Sequence, residues 1–126
     1  MAVPLEKHES EILANRLDKY NYTFSAIRNE SDTRSFYKGK IRRASWVRKG
    51  IPDFFLILKR WAGCFIELKR QRPVSKKSGK LLKSPSKVTE EQKVWIASLS
   101  LVPNMYASIC YWAKEAVDFI LENEAR

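Results

Sequence analysis

The stretch GIPDFFLILKRWAGCFIELKR, residues 50–70, constrains the fold more tightly than any other part of the chain. It holds two apolar runs, DFFLIL at 53–58 and CFIEL at 64–68, parted by KRWAG. Each run is too short for a packed helix and rich in Phe, Ile and Leu. The link is of hairpin length, so the two runs are expected to form adjacent antiparallel strands. Side chains alternate along a strand, which sets Phe65, Glu67 and Lys69 on one face and Cys64, Ile66 and Leu68 on the other. With the turn near Arg60 and Trp61, Asp53 falls almost opposite Glu67. Two carboxylates so placed repel, and the pKa of one rises unless a cation lies between them.

Around this hairpin the remaining elements follow from periodicity. Residues 5–19 read as a helix, with Leu5, Glu9, Ile12, Leu13 and Leu17 on one broad face. NYTFSAI at 21–27 reads as a strand. Residues 29–49 are polar and basic, expected as a loop with some helix, and 70–87, rich in Lys, Ser, Pro and Gly, as a second loop. Thr89 opens a helix whose inner side is Val88, Trp95, Ile96 and Leu99; Pro103 and Asn104 end it, Asn tolerating a left-handed turn. Residues 105–112 form a strand and 113–124 a final helix with Ala116, Val117, Ile120 and Leu121 inward. The order is α-β-β-β-α-β-α: an α/β fold in one domain, residues 1–126, with a single mixed sheet flanked by helices.

The charge is segregated. Of 24 Lys and Arg, seven fall in 34–49 and eight in 69–87, and neither segment contains an acid. The net charge is +10. Acid-free basic segments suit a polyanion, because each phosphate neutralised releases counterions. Candidate polyanion contacts, which become DNA contacts under the resemblance drawn below, are Arg34, Lys38, Lys40, Arg42, Arg43, Arg48 and Lys49 in the first segment, and Arg70, Arg72, Lys76 and Lys77 in the second. Phe36, Tyr37 and Trp46, interleaved in the first, suit base stacking or a core equally. Neither segment has the long amphipathic period of a membrane-surface helix, and no run approaches a membrane span. The N-terminal residues lack a signal-peptide core, and Cys64 and Cys110, both in apolar runs, fit buried free thiols in a reducing cytoplasm.

The donor set narrows the chemistry. His8 is the only histidine and there is no Cys/His cluster, which argues against zinc and against histidine-based hydrolysis. Oxygen donors alone select Mg²⁺, with Mn²⁺ as substitute. Glu9 offers a third carboxylate beside Asp53 and Glu67, since an unpaired acid on an apolar helix face is costly. Glu11 points the opposite way. Lys69, next to such a centre, can orient a water or steady developing phosphate charge.

At these residues the chain resembles the PD-(D/E)xK nuclease superfamily: Pro52-Asp53, then Glu67-Leu68-Lys69. More closely, it resembles the virus-type replication-repair nuclease (VRR-NUC) family. The matching features are a first helix with a leading Glu (Glu9), Gly50-Ile51-Pro52-Asp53, and the strand Ile66-Glu67-Leu68-Lys69. They continue with a helix opening on Thr89-Glu90-Glu91-Gln92, a strand, and a helix running from Glu115-Ala116 to Ile120. The five features occur in the family's order over residues 9 to 121. Asn104 stands where the family usually has Gly.

The resemblance implies a restriction-endonuclease-like core and Mg²⁺-dependent hydrolysis of DNA phosphodiesters. Glu9, Asp53, Glu67 and the Leu68 carbonyl would bind the metal, Lys69 would position the water, and Gln92 would hold a ligand or the lysine. Stand-alone members of the family are dimeric Holliday-junction resolvases and fused members cut flaps. A homodimeric junction resolvase in the cytoplasm of a prokaryote or a phage-infected cell is therefore the first expectation. A flap or restriction-type nuclease and a DNA-binding protein without activity are the alternatives. Taken singly, each residue has a plainer reading: Asp53 as a turn residue, Glu67 paired with Lys69 on a solvated face, Glu9 as a first-turn acid, and Gln92 as the partner of Thr89 in a capping box.

Overall fold

A computed structural model describes residues 3–27, 34–37, 40–43 and 50–125, the second and third of these stretches by backbone only. Helix α1 (Glu6–Lys19) buries a narrow stripe, Glu9, Leu13 and Leu17, at four-residue spacing. Leu5 and Ile12, expected on the inner face, are exposed. Strands β1 (Thr23–Ala26), β4 (Phe54–Ile57), β5 (Gly63–Lys69) and β6 (Met105–Tyr111) form one mixed sheet in the order β1-β4-β5-β6. β1 and β5 are antiparallel to β4, and β6 runs parallel to β5.

The basic stretch 29–49 departs from expectation. It contains β2 (Arg34–Tyr37) and β3 (Lys40–Arg43), paired antiparallel in a two-stranded sheet of their own. The two strands are separated by two residues, the shortest common hairpin link, and that spacing outweighs the polar composition that suggested a loop. The side chains of Arg34, Lys40, Arg42 and Arg43 lie outside the described residues, as do Lys38, Arg48, Lys49 and Trp46.

The other elements fall close to their expected positions. Helix α2 (Glu90–Ser100) and helix α3 (Ala113–Glu124) flank β6 in sequence. One face of the sheet carries Phe54, Leu56, Cys64, Ile66, Leu68 and Cys110 into a core closed by Leu13 and Leu17 of α1 and by Ala113, Ala116, Val117 and Ile120 of α3. Each fully buried Leu or Ile there contributes about 1.5–3 kcal/mol. Leu121, expected inward, is 49% exposed; Asn123, two residues on, takes the inner position instead. Helix α2 lies over β6 on the opposite face with no fully buried residue, and Val88, Trp95, Ile96 and Leu99 are half-buried there.

Asn104 closes the turn after α2 at φ 59° and accepts the Gly63 N–H at 2.9 Å, so Asn serves that left-handed position. Both cysteines are free and buried, and burial pushes each thiol up to about 12, which leaves neither available as a thiolate near neutral pH. Among the described residues no helix is long and apolar enough to cross a membrane.

The segment 70–87 is held by hydrogen bonds rather than by regular structure. Ser84 Oγ donates to the Arg70 carbonyl at 2.6 Å, and the Leu82 N–H donates to the Pro73 carbonyl at 2.8 Å. Val74 bridges to Leu81, and Gly79 turns the chain between them at φ 71°.

Candidate active site

Asp53 immediately precedes β4, and the β4–β5 register pairs Phe54 with Ile66, which sets Asp53 across from Glu67. The Leu68 N–H donates to Asp53 Oδ2 at 2.9 Å. Because β4 begins at Phe54, the edge of β5 beyond Ile66 has no ladder partner, and the Asp53 side chain takes the place of one. In an antiparallel ladder one residue's N–H and C=O point to the same side, so the Leu68 carbonyl faces the edge where Asp53 sits.

Glu67 and Lys69 are 2% and 5% exposed, so the pair sits under cover and not on a solvated face. Glu67 Oε2 is 3.4 Å from Lys69 Nζ and accepts from Gln92 Nε2 at 3.2 Å. Gln92 also completes the capping box of α2. Its Oε1 accepts from the Thr89 N–H at 3.0 Å, and its own N–H donates to Thr89 Oγ1 at 3.1 Å. One side chain thus fixes the helix start and reaches the candidate site.

The electrostatics are unbalanced. Burial, and after it the charge of Asp53, pushes the Glu67 carboxyl up to about 8 against the partial relief of Lys69. Burial also raises Asp53, opposed by the Leu68 N–H, a hydrogen bond from Glu67 and the Lys69 charge. Protonated, Glu67 is a donor to Asp53; with both ionised, Glu67 Oε1 is buried with no donor at all. A divalent cation placed there would answer both defects, since it would neutralise the pair and give the orphaned oxygen a partner.

The third carboxylate near this pair is Glu6, not Glu9. Single oxygens of Glu6, Asp53 and Glu67 lie within 4.8 Å of one another. Opposite ligands of Mg²⁺ are separated by about 4.2 Å, so a small movement of exposed Glu6 suffices. Glu9, three residues on, is rotated by about 60° around the helix from Glu6. It is buried against the start of α3, where it accepts the Ala113 N–H. Trp112, which precedes that helix, offers no side-chain cap, so Glu9 serves from α1. Burial raises the Glu9 pKa, and its Oε2 has no partner. The sequence signal for Glu9, a carboxylate on an apolar face, was sound; it did not say which neighbour that face would meet. Glu11 is exposed, as expected.

Two backbone features hold the site. Trp112 adopts φ 93°, ψ 163°, a conformation that side-chain-bearing residues rarely take, and its N–H donates to the Lys69 carbonyl at 2.9 Å. Gly50 adopts φ 88° and lies against the first turn of α2. A Cβ at Gly50 would meet the Glu91 carbonyl carbon at 2.5 Å and the Gln92 nitrogen at 2.7 Å. The glycine that opens Gly-Ile-Pro-Asp is thus the position where the loop bearing Asp53 passes the helix bearing Gln92. Gly50→Ala is expected to destabilise the fold by more than about 1 kcal/mol and to lower function further by pushing Gln92 off Glu67. Gly79→Ala is the control, because Gly79 has φ 71° but nothing within 4 Å of an added Cβ. It should cost stability alone, so melting curves beside activity per folded molecule separate the two variants.

Among the candidate DNA contacts, Arg70 is committed elsewhere: its guanidinium donates to the carbonyls of Val3 and Pro4 at 2.7 and 3.0 Å. Partly exposed, it fastens the residues before α1, a pairing across the chain that local composition does not reveal. Lys76 and Lys77 are exposed on the turn, and Arg72 Nε donates to the Leu82 carbonyl at 2.9 Å. No protein-family model, curated protein or solved structure matches this chain.

Proposed function

We propose that the chain is a Mg²⁺-dependent DNA endonuclease of the PD-(D/E)xK type, with VRR-NUC as its family. The observation that carries the reading is the convergence of Asp53, Glu67, Lys69 and Gln92, with Glu6 at the edge, around a buried carboxylate oxygen that has no partner. Asp53, Glu67, Glu6 and the Leu68 carbonyl would hold the cation. When bound, it would supply Lewis-acid polarisation of the phosphate and a more acidic water. Lys69 orients the attacking water and bears against developing negative charge. Gln92 keeps the Glu67 carboxylate aimed and is a positioning residue. A DNA-binding role without catalysis leaves this arrangement unexplained, because buried acids weaken phosphate binding and cost stability.

Four-way junctions are the proposed substrate and a homodimer the proposed form, two sites about a twofold axis cutting two strands symmetrically. The test is a panel of labelled duplex, flap and four-way junction DNA with Mg²⁺ or Mn²⁺, with light scattering of the free protein. Junction cleavage by a dimer supports the reading. Faster flap cleavage by a monomer replaces the substrate, and no metal-dependent cleavage of any DNA defeats the nuclease.

Glu6→Gln is expected to weaken Mn²⁺ binding by calorimetry by at least about tenfold and to slow cleavage in step. Glu9→Gln should leave metal affinity unchanged, because Gln still accepts the Ala113 N–H. The reverse ranking would restore Glu9 to the metal site.

A further inference from the structure

Beside the carboxylates, on the β6 side, a cleft of about 540 Å³ lies between the 70–87 segment, α2 and β6. Four cations line it, Arg72, Lys83, Lys87 and Lys93, and no acid does. Arg72, Lys83 and Lys87 come from the folded-back 70–87 segment and Lys93 from α2, so their convergence is a product of the fold. Ser84 and Ser86 build the wall. Ser84 Oγ donates to the Arg70 carbonyl at 2.6 Å, and Ser86 Oγ accepts the Arg70 N–H at 3.1 Å. These bonds lay the stretch carrying Lys83 and Lys87 alongside the continuation of β5. The Arg72–Leu82 bond fixes the guanidinium at one rim.

The cations are available. Among the described residues no ion pair involves Lys83 or Lys87. Lys93 pairs with Glu90 at 3.1 Å, but both are exposed, and such a surface pair is weak and readily exchanged for phosphate. The cleft also has a fixed relation to the site. Its floor includes Ile109 and Tyr111, which the parallel register places beside Glu67 and Lys69 at one strand spacing, about 4.8 Å. Residues paired in register share a face of the sheet, so the floor of the cleft continues the face that bears Glu67 and Lys69.

We propose that this cleft is a phosphate subsite that holds the backbone of the cut DNA strand next to the scissile phosphate. It rests on the nuclease reading for its substrate, but its test does not require cleavage. Lys83 and Lys87 were not among the contacts read from the sequence, because the same segment offers Lys76 and Lys77 equally and only the fold separates them.

The experiment is binding of a fluorescent four-way junction by anisotropy, in Ca²⁺ in place of Mg²⁺, across a salt series. It compares wild type with the double variant Lys83→Ala/Lys87→Ala. A charge-matched control, Lys19→Ala/Lys114→Ala, removes two cations from α1 and α3 on the other face of the sheet. Each phosphate contact contributes about 0.9 to the slope of log affinity against log salt. The cleft variant should lose close to 2 from that slope and bind DNA at least tenfold more weakly, whereas the control should change little. Equal effects of the two variants would overturn the subsite. So would a salt slope in the cleft variant that matches that of wild type. If wild type binds DNA with this pattern but never cuts it, the cleavage reading falls and the subsite stands. If wild type binds no DNA, both fall.

Discussion

Asp53→Asn and Glu67→Gln are each expected to abolish metal-dependent cleavage while leaving DNA binding intact or stronger, since each removes negative charge beside the phosphate. The Glu67 variant should also be more stable than wild type when metal is withheld. Folded, Glu67 titrates near 8 against an ordinary 4.5, with burial the main cause and the Asp53 charge the next. Between those values the folded chain retains a proton that the unfolded chain releases. The stability contributed by that proton is therefore complete below the lower value and lost as pH rises through the upper one. Gln carries no such titration, so in EDTA the Tm of the variant should gain on wild type as pH is raised from about 5 to 8.5. Saturating Mn²⁺ should reverse the order. A ligand at a hundred times its Kd adds about 2.7 kcal/mol, which is several degrees for a domain of this size, and only wild type should receive it. Metal must displace the proton, so its affinity should tighten by up to about tenfold per pH unit over the same window. Undiminished cleavage by either variant would remove the residue from the site. A flat Tm difference would mean that Glu67 is ionised without metal.

Lys69→Ala should lower the cleavage rate by about a hundred- to ten-thousandfold, the range for a positioned group acting on a water or a leaving proton. Metal binding should survive, because Lys69 offers no ligand oxygen and its removal takes a positive charge from beside the cation. Calorimetry with Mn²⁺ should show affinity unchanged or improved, and KM should move far less than kcat. Lys69 is buried and 3.4 Å from Glu67 Oε2, so some loss of metal-free stability is also expected. A collapse of metal affinity with the rate retained would exchange the roles assigned to Lys69 and the acids.

The centre of the site was readable from the sequence because strand geometry is countable. Alternation gave the shared face of Glu67 and Lys69, and the five-residue link gave the antiparallel register that sets Asp53 across from Glu67. Thr89 and Gln92 were readable as a capping box for the same reason, their spacing being local. What needed the fold were contacts between distant elements. Glu6 and Glu9 differ only in which neighbour a turn of helix presents them to, and α3 claims Glu9 through the Ala113 N–H. Arg70 resembles every other cation in its segment until the N-terminal carbonyls are seen against it. Gly50 stood in a recognisable motif, but its reason, the backbone of Glu91 and Gln92 at its shoulder, lies across the molecule. The β2–β3 hairpin is hidden by the polar, basic composition of its segment, and only the two-residue separation of its strands marks it.

The parallel pairing of β5 with β6 has a consequence for how such a chain comes into being. Gly63 waits for Met105, and Lys69 for Tyr111, before β5 has a neighbour on that side. The Lys69 carbonyl is then tied by Trp112, and Glu9 finds its donor at Ala113. On the ribosome the acids of residues 53 and 67 are translated early but cannot be set in place until residues near 113 have emerged. Pairings of such long sequence separation also form slowly. The carboxylate centre is therefore among the last parts of the molecule to be completed, and a chain still short of residue 113 carries nearly all of its cations without it.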